Sequence, residues 1–93
     1  MALADDQRFV VSKQVMSRVL DGDAVLLDLG SGKYFGLNLV GTHIWQALEA
    51  GATVAELHAA VLADFDVDAA TARAELEALL GDLLARGLIL APA

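Results

Sequence analysis

Between residues 26 and 48 the chain reads LLDLGSGKYFGLNLVGTHIWQAL, and within that stretch its apolar period changes from two to 3.6. A fold that accommodates it must turn a tight hairpin and then pass from strand to helix without a spacer. Two apolar runs, 24–29 and 33–37, flank Gly30-Ser31-Gly32, and glycine supplies the positive φ angles that such a short reversal needs. Directly afterwards Asn38 stands where a helix cap is required, and Ile44, Trp45 and Leu48 recur at helical spacing.

The flanking sequence extends this pattern in both directions. Residues 1–7 read as a frayed tail, followed by strands over 8–12 and 15–20. Asp21-Gly22-Asp23 then makes a turn into the strand over 24–29. A small antiparallel sheet of three or four strands results, ending at 33–37. Three helices are predicted after it. The first covers about 39–50 and stops at Gly51. The second starts at a Thr53/Glu56 capping-box spacing, buries Val54, Leu57, Val61 and Leu62, and ends at Asp64-Phe65-Asp66. Asp68 caps the third, which reaches Arg86 before Gly87 and buries Ala72, Leu76, Leu79 and Leu83 at steps of four, three and four. Leu80 and Leu84 fall outside that stripe, so this helix carries more apolar surface than one core contact needs. Leu88-Ile89-Leu90 packs back on the body.

With 93 residues there is room for one core and not two, so residues 8–93 are expected to form a single domain behind the tail. The chain has no cysteine, which removes disulfides and thiolate metal sites and makes a reducing cytoplasm the default compartment. No apolar run approaches the ~20 residues that cross a bilayer, and the acidic start MALADDQRF lacks the basic residues of a signal peptide. The net charge of −7 is concentrated after Leu48, where eight acids face only Arg73 and Arg86; five acids and four bases precede that point. An acidic helical half disfavours phosphate backbones and anionic lipid, so neither nucleic acid nor membrane is an expected partner. The simpler role of those acids is to keep an apolar small domain in solution.

Familiar chemistries fail on inspection. A phosphate loop needs a glycine five residues before Gly32 and a Ser or Thr after Lys33, where this chain has Leu27 and Tyr34. His43 and His58 lie on separate helices without a second nearby ligand, so neither a metal nor a catalytic histidine is expected. Ser31 sits in a turn with no nucleophile-elbow sequence around it. Trp45, between Ile44 and Leu48, reads as a core aromatic. Tyr34 and Phe35 are adjacent on one strand and must face opposite ways, so if Phe35 and Leu37 face the helices, Tyr34 and Gly36 face out. The chain is expected to bind rather than to catalyse, without a cofactor.

The ordered set L-L-D-L-x-S-G-K-Y-F-x-L-N-x-x-G-x-x-I-W-x-x-L at 26–48, T-V-x-E-L at 53–57, F-D-V at 65–67 and G-L-I at 87–89 resembles the PqqD-like family, named for pyrroloquinoline quinone synthesis protein D. The similarity covers about 15–90. It implies an α+β, winged helix-turn-helix-like fold with a three-stranded antiparallel sheet followed by three helices. It also implies a peptide chaperone: a recognition element that captures the leader segment of a ribosomally made precursor peptide and presents it to a modifying enzyme, whether peptidase, cyclase or radical enzyme. The chain looks closer to stand-alone members from lasso-peptide clusters than to those of the quinone pathway.

In the family the leader adds to the third strand of the sheet and lies in a groove beside the third helix. Carried onto this sequence, Lys33, Tyr34, Phe35, Gly36 and Leu37 would form the backbone ladder, Leu76, Leu80 and Leu84 the apolar floor, and Arg73 and Glu77 its rim. An edge strand offers unpaired N–H and C=O groups to such a peptide, and pockets add selectivity. Acidic surroundings would favour a basic leader and a salt-dependent affinity. Leu80 and Leu84 have an alternative place, packed inside against Leu88, Ile89 or the first strands. The open edge also suits a monomer or a homodimer, formed by strand pairing or a domain swap. Two other functions share parts of the outline. A DNA-binding winged-helix regulator needs a basic recognition helix, whereas this one carries Glu75, Glu77 and Asp82. An acyl-carrier protein needs an Asp-Ser-Leu serine at a helix start, a context that Ser12, Ser17 and Ser31 all lack.

Overall fold

The computed structural model describes residues 3–92. In chain order the elements are β1 (Val10–Val11), β2 (Val15–Leu20), β3 (Asp23–Asp28), β4 (Lys33–Gly36), α1 (Leu39–Glu49), α2 (Val54–Asp64), α3 (Ala69–Ala85) and β5 (Ile89–Leu90). β2, β3 and β4 form an antiparallel three-stranded sheet in that order. Asp21 at φ 52° and Gly22 at φ 88° make the two-residue β2–β3 turn, the mirror-image type whose twist matches that of its strands. The β3–β4 reversal uses Gly32 at φ 73°, and the Gly32 amide donates to the Asp28 carbonyl at 2.7 Å.

The sheet is three-stranded, as the family resemblance implies, because the first strand goes elsewhere. The predicted strand over 8–12 is reduced to Val10–Val11, which pairs with β5 in a separate two-stranded ribbon. Arg8 forms an isolated bridge to Thr53. The helices begin and end close to their predicted signals. Asn38 accepts from the Gly41 amide, and Asp68 accepts from the Thr71 amide. Thr53 and Glu56 complete a reciprocal capping box. α1 packs on β3, α2 packs between α1 and α3, and α3 packs on β5, around a core that includes Trp45, Leu26, Leu57, Leu76 and Leu80.

Residues 3–7 are not a frayed tail. Leu3 is buried in the core, the Asp5 carbonyl accepts from the Ala55 amide at 2.9 Å, and the Gln7 carbonyl accepts from the Val54 amide at 2.9 Å. The first residues of α2 have no earlier helical carbonyl to bond, and the N-terminal segment supplies two. The sequence expectation also fails at Leu62, which faces solvent rather than the core.

Candidate functional site

β4 is the edge that faces the helices' open side. The Leu37 amide donates to the Ala24 carbonyl at 2.8 Å, and this sets the phase of the β3–β4 ladder. With Phe35 opposite Leu26 and Lys33 opposite Asp28, the backbone groups of Lys33 and Phe35 point to β3 and those of Tyr34 and Gly36 point outward. Among the described residues no strand pairs with that outer edge. Buried Thr42 anchors its end: Oγ1 accepts from the Ala24 amide at 2.7 Å and donates to the Leu37 carbonyl at 3.4 Å. One hydroxyl thus ties the hairpin to α1.

An open cleft of about 510 Å³ lies between the end of β4 and α3. Gly36 and Leu37 form one wall; Val40, Gly41 and Ile44 of α1 and Val61 of α2 contribute to its lining; α3 supplies Ala72, Glu75, Leu76 and Leu79. The α3 residues follow the i, i+3, i+4, i+7 spacing of a single helix face. Near β4 the Arg86 guanidinium stacks 4.9 Å from the centroid of the Phe35 ring, while its Nε contacts both Asp82 carboxylate oxygens at 3.1 Å. Glu75 is the charged residue of the lining, and Arg86, paired with Asp82, lies beside Phe35 outside it.

The predicted site residues divide sharply. Lys33, Tyr34, Phe35 and Gly36 lie in β4; Leu37 follows its last residue and lines the cleft with Gly36 and Leu76. Arg73, Glu77, Leu80 and Leu84 are not in the lining. Leu80 is fully buried and Leu84 is packed against the core. Leu76, which lines the cleft, is just as buried, so its position on the helix and not its burial separates it from Leu80. Arg73 and Glu77 hold the N-terminal segment instead: Arg73 Nη1 pairs with Asp5 at 2.7 Å, Arg73 Nη2 donates to the Leu3 carbonyl at 2.7 Å, and the Leu3 amide donates to Glu77 at 3.1 Å. These contacts raise the Arg73 pKa, Asp5 foremost and Glu77 next. The Leu3 amide, followed by Arg73, holds the Glu77 carboxyl below its ordinary range.

Val40, Ile44, Val61, Glu75 and Leu79 were absent from the predicted site. Leu79 did carry a signal, since it belongs to the same apolar stripe as Leu76. Nothing local announced that Arg86 would reach Phe35. The histidines are engaged apart from the cleft: His43 Nδ1 lies 3.4 Å from Asp64, and His58 Nε2 lies 2.9 Å from the Ala69 carbonyl oxygen. No group of three or more His, Cys, Asp or Glu side chains able to hold a metal occurs among the described residues. No helix among them is long and apolar enough to cross a membrane.

An α+β domain of winged helix-turn-helix outline, with one strand edge open beside an apolar cleft, is the class that this fold and site define. Residues 23–89 match the family model of coenzyme PQQ synthesis protein D (PqqD), and the chain belongs to the PqqD family. Among solved structures it is similar to TbiB1 in complex with the TbiA(beta) leader peptide, at 37% identity and a TM-score of 0.84, over 90% of this chain and 98% of that one. It is also similar to a lasso peptide synthetase B1 complexed with the leader peptide, at 28% identity and a TM-score of 0.81, over 89% of this chain and 98% of that one. None of the curated proteins matches.

Proposed function

We propose that this chain is a non-catalytic peptide chaperone. It captures the leader segment of a ribosomally synthesised precursor by adding it as a strand to β4, and it presents the bound precursor to a modifying enzyme. The observation that carries this reading is the outward-facing backbone of Tyr34 and Gly36 beside the cleft bounded by α3. An extended peptide there gains main-chain hydrogen bonds from the edge and buries alternate side chains in the cleft. The leader complexes of TbiB1 and of the lasso peptide synthetase B1 support the same reading. A stand-alone member of a lasso-type pathway fits best, with a peptidase or cyclase as the enzyme served and a radical enzyme as the alternative. A cytoplasmic location is the one that suits capture of a ribosomal product.

Arg73 of α3 is paired with Asp5 and Glu77, and Arg86 at its C-cap with Asp82, which leaves this helix poorly suited to phosphate contacts. The test is a calorimetric titration of the chain with a synthetic leader from the precursor encoded beside it, against a scrambled peptide of equal composition. Saturable binding of the native leader alone is expected. Equal heats for the two peptides would remove the reading. Sedimentation with and without leader reports whether a second copy competes for the same edge.

A further inference from the structure

The face of the three-stranded sheet turned away from the helices is apolar and uncovered. Met16 stands opposite Leu27, which stands opposite Tyr34; in the next row Arg18 stands opposite Val25 and Val25 opposite Gly36. An antiparallel sheet with one solvated face normally places polar side chains there. Here Met16, Leu20 and Tyr34 are 60%, 55% and 70% exposed, and with Val25 and Leu27 they border a shallow concavity of about 330 Å³. Arg18 lies within this patch and forms no ion pair among the described residues.

This patch is continuous with the leader edge through β4. A peptide strand added beyond Tyr34 and Gly36 extends the sheet by one interstrand spacing, about 4.8 Å. Its side chains alternate, so every second one enters the cleft and the others lie on the outer face beside Tyr34. The outer face therefore continues onto the captured leader. Resting on the leader-capture reading, we infer that this face is the docking surface for the modifying enzyme. The enzyme covers Met16, Leu20, Leu27 and Tyr34 with apolar side chains, sets a carboxylate opposite Arg18, and meets the outward leader side chains on the same surface. A second copy of this chain is the competing occupant, since Asp23, opposite Leu20, stands on the same face as Arg18 and offers the second copy's Arg18 an acid.

The test uses two variants on β2, a Met16→Glu/Leu20→Glu pair and Arg18→Glu alone, both remote from the free edge of β4. Each is combined at full length with the precursor and the modifying enzyme encoded beside it, after circular dichroism has confirmed the fold. Leader affinity is expected to stay within about twofold of the unaltered chain, while the modification rate at limiting chaperone falls about tenfold or more, as loss of a buried charged contact predicts. Adding excess variant is expected to restore part of the rate. Unchanged modification by both variants overturns the inference, as does sedimentation showing that the unaltered chain dimerises through this face. Failure of the unaltered chain to bind leader is a separate result, which removes the leader-capture reading itself.

Discussion

Arg73 donates from Nη2 to the Leu3 carbonyl at 2.7 Å, across seventy residues of sequence. Glu77, one turn further along α3, accepts from the Leu3 amide at 3.1 Å. This pair recognises the backbone of the N-terminal segment at both a donor and an acceptor, and Leu3 itself enters the core. The first residues thus strap α2 to α3, and they occupy two side chains that the sequence assigned to a peptide.

The strap is expected to loosen in acid. Glu77 has a folded-state pKa below its ordinary 4.5, through the Leu3 amide first and Arg73 second. A lowered carboxylate contributes stability that is complete above the unfolded value and is lost as pH falls through the folded one. The protection of residues 3–7 against hydrogen exchange, taken relative to the intrinsic rate at each pH from about 7 to about 3, should fall below about pH 4.5 in the unaltered chain. Glu77→Gln should flatten that dependence. Superimposable pH profiles would show that the strap does not depend on this carboxylate.

Gly36→Pro should weaken leader binding about fivefold to tenfold, the equivalent of one backbone hydrogen bond. Its amide points away from β3, so the sheet loses no bond, and an edge strand tolerates proline. Phe35→Pro removes an amide directed at β3 and should destabilise the fold. Calorimetry and urea denaturation together separate the two. Equal stability losses would refute the assigned phase of the ladder.

Neighbouring leucines on α3 should behave in opposite ways. Leu79→Glu puts a charge on the cleft lining and should reduce leader affinity about tenfold or more with a small loss of stability. Leu80→Ala empties a fully buried site and should cost about 2–5 kcal/mol in urea denaturation. A cleft that does not hold leader would be indifferent to Leu79→Glu.

Thr53→Ala should cost about 1 kcal/mol. It removes the acceptor for the Glu56 amide, at 3.2 Å, while the Thr53 amide still donates to Glu56 Oε1 at 2.8 Å. Leader affinity should be unchanged at temperatures where the variant is folded. A stability equal to that of the unaltered chain would mean that the box is frayed in solution.

Much of the architecture was legible because its signals are local. Asp21-Gly22, Gly32, Asn38, the Thr53/Glu56 box and Asp68 act through neighbours within four residues, and each turned or capped the chain where its chemistry allows. The change of period after Leu37 marked the passage from sheet to helix. The site was half legible: the outward positions of Tyr34 and Gly36 follow from strand alternation, and Leu76 and Leu79 lie on the apolar stripe that borders the cleft.

Which side of α3 would be left open was not written in α3. The helix carries two apolar stripes, one through Leu76 and Leu79 and one through Leu80 and Leu84, and helical periodicity makes them equivalent. Sequence by itself determined the elements, their order and an edge strand with a peptide's geometry. Tertiary structure decided the rest: residues 3–7 bind Arg73 and Glu77, Leu80 is fully buried and Leu84 is packed against the core. Leu76 and Leu79 border the cleft beside Gly36 and Leu37, and Arg86, at the end of the same helix, lies over Phe35.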